Sequence, residues 1–197
     1  MLHTPGKYND RLRPEGGNNM SPISIHTMAE LFSTIDMATC RVCNRACRQH
    51  TIMRFFAIIS RLGDGVFWYS LMLMLPVFYG AAALSVSARM AVVGLAGVLI
   101  YKLVKSSTER LRPFMVDERI ELGTAPLDKY SFPSGHTLHA TAFSIVILYY
   151  IPELVWLVLP FALLVAMSRV VLGLHYPTDV LAGALIGALL SAAVLAF

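Results

Sequence analysis

"YSFPSGHTLHATAF", Tyr130–Phe143, opens a long apolar run with a polar mouth. Ser134 is suited to cap a helix N-terminus, and Gly135 lets a ligand approach the backbone closely. From His136 to Ile151 there is no Asp, Glu, Lys or Arg. A helix of that composition belongs in lipid or inside a helical bundle. Its first N–H groups would point out of the membrane toward an anion, with His136 in the first turn.

Similar runs lie on both sides of this one. The chain has 197 residues, of which 56% are hydrophobic and 14% charged. Soluble domains carry about 25% charged residues. The apolar excess falls almost wholly after residue 51, in candidate spans 66–86, 88–105, 135–151, 154–172 and 178–197. Each is near the roughly 20 residues that cross the hydrocarbon core. In the last, Gly183, Gly187 and neighbouring alanines suit close helix packing. No period-two strand pattern and no internal repeat is present. The expectation is an all-α, multi-pass transmembrane helical bundle of about five spans. Residues 52–62, "IMRFFAIISRL", put Ile52, Phe55, Phe56, Ile59 and Leu62 on one face and read as an interfacial helix. A Gly-Asp-Gly break at 63–65 follows it.

Residues 1–50 read as a polar, partly mobile N-terminal region, and 51–197 as the membrane domain. The first twenty residues lack the apolar segment of a signal peptide, and Met20 or Met28 is an alternative start. Cys40, Cys43 and Cys47 lie close together, with His50 nearby. Three thiolates and an imidazole would suit a metal, but the odd count and missing second half-site favour reduced thiols. The net charge of +4 suits anionic headgroups or phosphate substrates, and the basic residues form no nucleic-acid stripe.

Ionisable groups beside membrane spans are costly, which makes them candidate functional residues. Three clusters stand out. In "KSSTERLRP" Lys105 and Arg112 are seven apart, so a helix returns them to one face before Pro113 stops it; they suit a phosphate clamp or headgroup contacts. Glu109 either pairs with Arg112 or is solvated. In "PSGH" the helix mouth carries His136. In "SRVVLGLHYPTD" Arg169 ends one span, while His175 and Asp179 bracket the start of the next. A carboxylate four residues after a histidine can accept its ring N–H and leave the other nitrogen free to attack. Together these residues suit metal-free phosphoryl transfer. They include too few carboxylates for a two-metal phosphatase and no Gly-rich nucleotide loop. Cations and N–H groups would hold the equatorial oxygens, one histidine would attack, and the other would protonate the leaving oxygen.

The joint pattern Lys-x6-Arg-Pro, Pro-Ser-Gly-His and Ser-Arg-x5-His-x3-Asp resembles the three-part signature of the type 2 phosphatidic acid phosphatase superfamily. The resemblance covers about residues 64–197. It implies a phosphatidic acid phosphatase/haloperoxidase-like core, with His175 as the nucleophile that forms a phosphohistidine, Asp179 orienting it and His136 as general acid. Lys105, Arg112, Ser134, Gly135 and Arg169 would bind the phosphoryl oxygens. It implies no metal and no cofactor, and a membrane lipid phosphate or polyprenyl pyrophosphate as substrate: phosphatidate, phosphatidylglycerophosphate or undecaprenyl pyrophosphate. Two alternatives remain: a lipid phosphotransferase using the same phosphohistidine, and a non-catalytic lipid-binding or transport protein. His139 lies outside the signature and is either a core histidine or part of the site.

Five spans put the N-terminus and the three clusters on one side, with all sixteen Lys and Arg residues except Arg89. The positive-inside rule makes that side cytoplasmic. The resemblance instead implies an extracytoplasmic site in a bacterial inner membrane, and a sixth span. The sequence does not address oligomeric state.

Overall fold

The computed structural model describes residues 25–197, and every described residue lies in a helix, turn or loop. The expected mobile tail and Met20 lie outside the described residues. The helices are α1 (Ile25–Asn44), α2 (His50–Arg61), α3 (Phe67–Tyr79), α4 (Leu84–Thr108), the short α5 (Pro113–Val116), α6 (Gly135–Tyr150), α7 (Val155–Val171) and α8 (Pro177–Leu195).

Among the described residues, four helical stretches are long and apolar enough to cross a membrane: His50–Tyr79, Ala81–Val116, Pro152–Val171 and Pro177–Leu195. Their outward faces carry bare apolar side chains such as Leu73, Val77, Leu95, Leu99, Leu181 and Leu185. In water such a surface would aggregate; in lipid it needs no partner. The protein is therefore an all-helical, multi-pass membrane protein.

α6 is the shorter, central helix, packing on α4, α7 and α8. Its Leu138, Ala142, Val146 and Ile147 are fully buried. At 16 residues it spans about 24 Å, less than the hydrocarbon thickness of about 30 Å. Burial among other helices is what makes that length workable. The α6–α8 contact depends on glycine. A methyl group at Gly183 would overlap the Ser134 carbonyl oxygen, and one at Gly187 the Leu138 carbonyl oxygen. The expected close packing is thus realised, and it is α6 that packs there.

Residues 52–61 of the segment expected to be an interfacial helix lie in the amphipathic helix α2. α2 runs into α3 through one widened turn, Leu62–Val66. Together the two helices cover 30 residues, His50–Tyr79, and meet at a kink where Gly65 leaves helical φ/ψ. They lie antiparallel to α7: Ser60 meets Arg169, Gly63 faces Val165, and Phe67 stacks on Phe161 at 3.8 Å between centroids. The Gly-Asp-Gly break expected from the sequence is present as this kink between α2 and α3. Gly65 takes φ 141°, which other residues rarely adopt, and so turns the Asp64 side chain inward. The break before α4 falls at Gly80, earlier than the span 66–86 implied.

Residues 25–44 form a helix docked on α7 and α8. Its buried side is polar: Asp36, Cys40 and Asn44 all face the bundle. Asn44 donates to Glu121 O and Val171 O, both at 2.9 Å, and accepts from Glu121 N, which ties the loop after α5 to the end of α7.

Candidate active site

The antiparallel helices bring the end of α4, the starts of α6 and α8, the end of α7 and the kink at Asp64 to one place. Arg89, at the other end of α4, bonds Val194 O at 2.8 Å beside the Tyr150 ring, so this cation lies away from the site. At the convergence is a cavity of about 520 Å³. Its polar end is lined by Lys105, Arg112, Asp128, Gly135, His136, Arg169, His175 and Asp64. Its apolar arm runs between α3, α4 and α6, past Trp68, Met72, Met90, Leu95 and Phe143.

Six of the eight residues singled out from sequence line this cavity. Ser134 and Asp179 stand behind it. Ser134 caps α6 as expected: its Oγ accepts from Thr137 N and lies 3.0 Å from Thr137 Oγ1. With its hydroxyl so engaged, Ser134 holds the helix mouth in place; Gly135 and His136 are what the cavity sees. The Ser134 N–H donates to Asp179 O at 3.0 Å and locks the starts of α6 and α8 together.

Asp179 is the hub behind the nucleophile candidate. Its Oδ2 accepts from the Tyr176 N–H at 2.8 Å and lies 3.6 Å from His175 Nδ1. That distance is beyond a hydrogen bond, and His175 Nδ1 is buried with no partner. Catalytic hydrogen bonds commonly tighten only when substrate is bound. The other ring nitrogen, Nε2, faces the cavity 3.3 Å from Arg112 Nη1. Burial, followed by Arg169, Arg112 and Lys105, pushes His175 well below the ordinary imidazole value and keeps the ring neutral.

Three residues missed from sequence complete the electrostatics. The first is Asp64, which pairs with His136. The second is Arg110. It donates to Asp179 Oδ1 at 2.6 Å, to Thr178 Oγ1 at 2.8 Å and to Asp36 Oδ2 at 2.7 Å, and it stacks on the Tyr176 ring. Through Asp36, α1 thus supports the carboxylate behind His175. The third is Asp128, on the loop after α5. Both of its carboxylate oxygens accept from Lys105 Nζ at 2.7 Å, and Oδ1 accepts from Arg112 Nη2 at 2.6 Å. Burial would raise its pKa, but the Lys105 and Arg112 contacts outweigh it and hold the carboxyl below the usual range. Glu109, expected either to pair with Arg112 or to be solvated, accepts from Tyr130 OH at 3.1 Å. Neither Arg110 nor Asp128 stands out in a linear sequence, because their partners are 68 to 74 and 16 to 23 residues away.

His136 pairs with Asp64 of the kinked helix, and Arg169 donates to Ser60 Oγ. The Nε of Arg169 is buried without a partner. His139 lines the cavity and also ties α6 to α4: its ring nitrogens lie 2.8 Å from Gly135 O and 3.1 Å from Gly94 O.

The cysteines behave as core residues. Cys47 Sγ donates to Val171 O at 3.1 Å, and Cys40 Sγ approaches His175 O at 3.6 Å. Burial, helped by Asp36, pushes the Cys40 thiol up to about 12. Among the described residues, no three His, Cys, Asp or Glu side chains converge in a way that could hold a metal.

Residues 79–197 match the model of the PAP2 superfamily. The chain belongs to that family. It is 29% identical over 143 residues to an undecaprenyl-diphosphatase of Sulfolobus acidocaldarius, a match covering 72% of this chain and 68% of the relative. It is 36% identical over 106 residues to phosphatidylglycerophosphatase B of Bacillus subtilis, covering 47% of this chain and about half of that protein, 48%. Among solved structures, Aquifex aeolicus LpxE superposes with a TM-score of 0.73 at 25% identity, covering 83% of this chain and 96% of that one. A PAP2-type phosphatidylglycerolphosphate phosphatase from Bacillus subtilis gives a TM-score of 0.66 at 28% identity, with 88% of each chain covered. Asp64 and Ser60 lie before the matched residues, so the site extends beyond the family model.

Proposed function

We propose that this PAP2-family membrane protein is a lipid phosphatase that hydrolyses a phosphomonoester or pyrophosphate of a membrane lipid through a phosphohistidine. One observation carries the reading. Three cations, a helix mouth and two histidines meet at the polar end of a cavity whose remaining wall is apolar and opens toward the lipid-facing helices α3 and α4. A phosphorylated headgroup fits the first part and an acyl or prenyl chain the second. Two of its relatives are named undecaprenyl-diphosphatase and phosphatidylglycerophosphatase, which supports phosphatase chemistry on a lipid-linked phosphate; phosphatidate is the third candidate, carried by the sequence signature.

In this reading Lys105, Arg112, Arg169 and the Gly135 N–H hold the phosphoryl oxygens and stabilise charge in the transition state. His175 Nε2 attacks phosphorus, and the bond to the leaving oxygen breaks. His136 gives that oxygen its proton. Asp179, itself held by Arg110, stabilises the charged His175 ring. Water then attacks the phosphohistidine, His136 takes the proton, and inorganic phosphate leaves. No step requires a metal. Residues 51–197 form the catalytic domain, in the inner membrane of a bacterium, with α1 and the active site on the same side.

The test is phosphate release by the purified full-length protein from those three lipids, with water as the sole acceptor and with EDTA present. We expect release from at least one, reduced about 10³-fold or more in His175→Ala and His136→Ala with melting temperature retained. Wild-type activity in either variant overturns the assignment of roles. Binding without turnover on every lipid overturns the enzyme.

A further inference from the structure

Asp128 is not used by the mechanism above, yet it occupies the centre of the clamp. Its carboxylate takes Lys105 Nζ at 2.7 Å and Arg112 Nη2 at 2.6 Å, the donors assigned to phosphate. The other terminal nitrogen of the same guanidinium is 3.3 Å from the attacking nitrogen of His175. A carboxylate there lies one guanidinium away from the nucleophile, where a phosphoryl group has to sit. A dianion cannot share those donors with a second anion at such range without strong repulsion.

The clamp does not depend on this carboxylate for its shape. Arg112 Nη1 donates to Leu174 O at 2.8 Å, and Arg112 Nε to the backbone carbonyl of Asp128 at 3.1 Å. Lys105 also lies against the Tyr101 ring. The Asp128 side chain is 39% exposed, whereas that of Arg112 is 2% exposed. The carboxylate therefore has a way out to water that the cation lacks. Its loop is tied at Gly123, to Leu172 O, and at Ser131, to Arg110 O, and Asp128 lies between these anchors. Arg169, the third cation, keeps a buried Nε unpartnered.

We infer that Asp128 is an internal anion that fills the phosphate clamp between turnovers and sets its affinity. Substrate phosphate must displace it, and its return helps expel inorganic phosphate. The inference rests on the phosphatase reading and adds a residue that lowers the affinity of the site for its own product.

The experiment measures lipid-phosphate turnover by the full-length protein with inorganic phosphate as competitive inhibitor, for wild type, Asp128→Asn and Asp128→Glu. Neutralising the competing carboxylate is expected to lower the inhibition constant of phosphate by about tenfold or more and to lower KM, without raising kcat. The glutamate variant, which restores the charge, should remain within about threefold of wild type. A carboxylate that merely positions Lys105 and Arg112 gives the opposite sign: Asp128→Asn would weaken phosphate inhibition and raise KM. An unchanged or higher inhibition constant in Asp128→Asn, with an active wild type, overturns the inference and leaves the phosphatase reading standing. No phosphate release by wild type overturns both.

Discussion

Arg110 and Arg112 are two residues apart, yet they do different work. Arg112 is almost fully buried and faces the cavity, while Arg110 lies behind it and joins Asp36 to Asp179. Arg112→Lys keeps the charge but loses the planar fork that reaches Asp128, Leu174 O and the nucleophile's edge together. We expect kcat/KM to fall about 10- to 100-fold with little change in melting temperature. Arg110→Ala leaves two buried carboxylates without their cation. That should destabilise by about 2–4 kcal/mol, reduced from a fully buried pair because Arg110 is partly exposed; a melt in detergent measures it. The depressed His175 value sets a pH expectation. A group whose folded pKa lies below its free value stays neutral until pH falls through the lower value. In the proposed mechanism His175 is then still neutral and able to attack below pH ~6.5, and its protonation limb in kcat/KM falls on the acid side of the ordinary imidazole value. A limb for the nucleophile at or above that value contradicts the neutral, buried ring.

At the scale of elements, glycines decide which helices can meet. Gly183→Ala places a methyl on the Ser134 carbonyl oxygen, at the junction that holds the α6 mouth to the α8 start. It should cost roughly 1–3 kcal/mol and reduce activity more than a comparable change far from the site. Gly187→Ala, one turn deeper, should destabilise similarly with a smaller loss of turnover; melting and kinetics on the pair separate the effects. The kink in the first long helix depends on Gly65. There a side chain would be strained at φ 141° and would also overlap the Tyr69 ring. The helices themselves were legible from their apolar runs. The Gly-Asp-Gly break was legible too, but not that α2 and α3 both pack along α7 on either side of it. α1 was also missed, since its buried face is Asp36, Cys40 and Asn44, which no apolar periodicity reveals.

For the whole molecule, the cavity joins a charged end to an apolar arm, and in the proposed function this geometry makes the lipid tail part of recognition. Gly94 lies on the arm, and a Cβ there would come 3.0 Å from the Phe143 ring. Gly94→Leu should therefore lower kcat/KM for a long-chain lipid phosphate by about tenfold and leave a short-chain, water-soluble phosphate within about threefold. Equal loss on both would mean that the arm does not hold the tail. Orientation is tested at Glu118, which is exposed on the loop at the site end of the bundle. The native Cys40 and Cys47 are buried and make poor probes. Charge bias puts Glu118→Cys in the cytoplasm, so an impermeant maleimide should leave it unlabelled in intact cells. Labelling there would place the site outside.

Apolar run length and three short polar clusters sufficed to read an all-helical membrane bundle, its family and six residues that the fold brings to one cavity. Those signals are local: a span needs about 20 apolar residues in a row, and each part of the signature lies within a dozen positions. The partners that tune the site were not legible. Asp64 meets His136 from 72 residues away, Arg110 reaches Asp36 and Asp179 from 74 and 69, and Asp128 fills the clamp from 16 and 23. Such pairings exist only once antiparallel helices stack their ends at one level. Folding also separated the roles of Ser134 and Gly135, neighbours in the sequence: one hydroxyl is turned into the cap while the next residue's backbone is left facing the cavity.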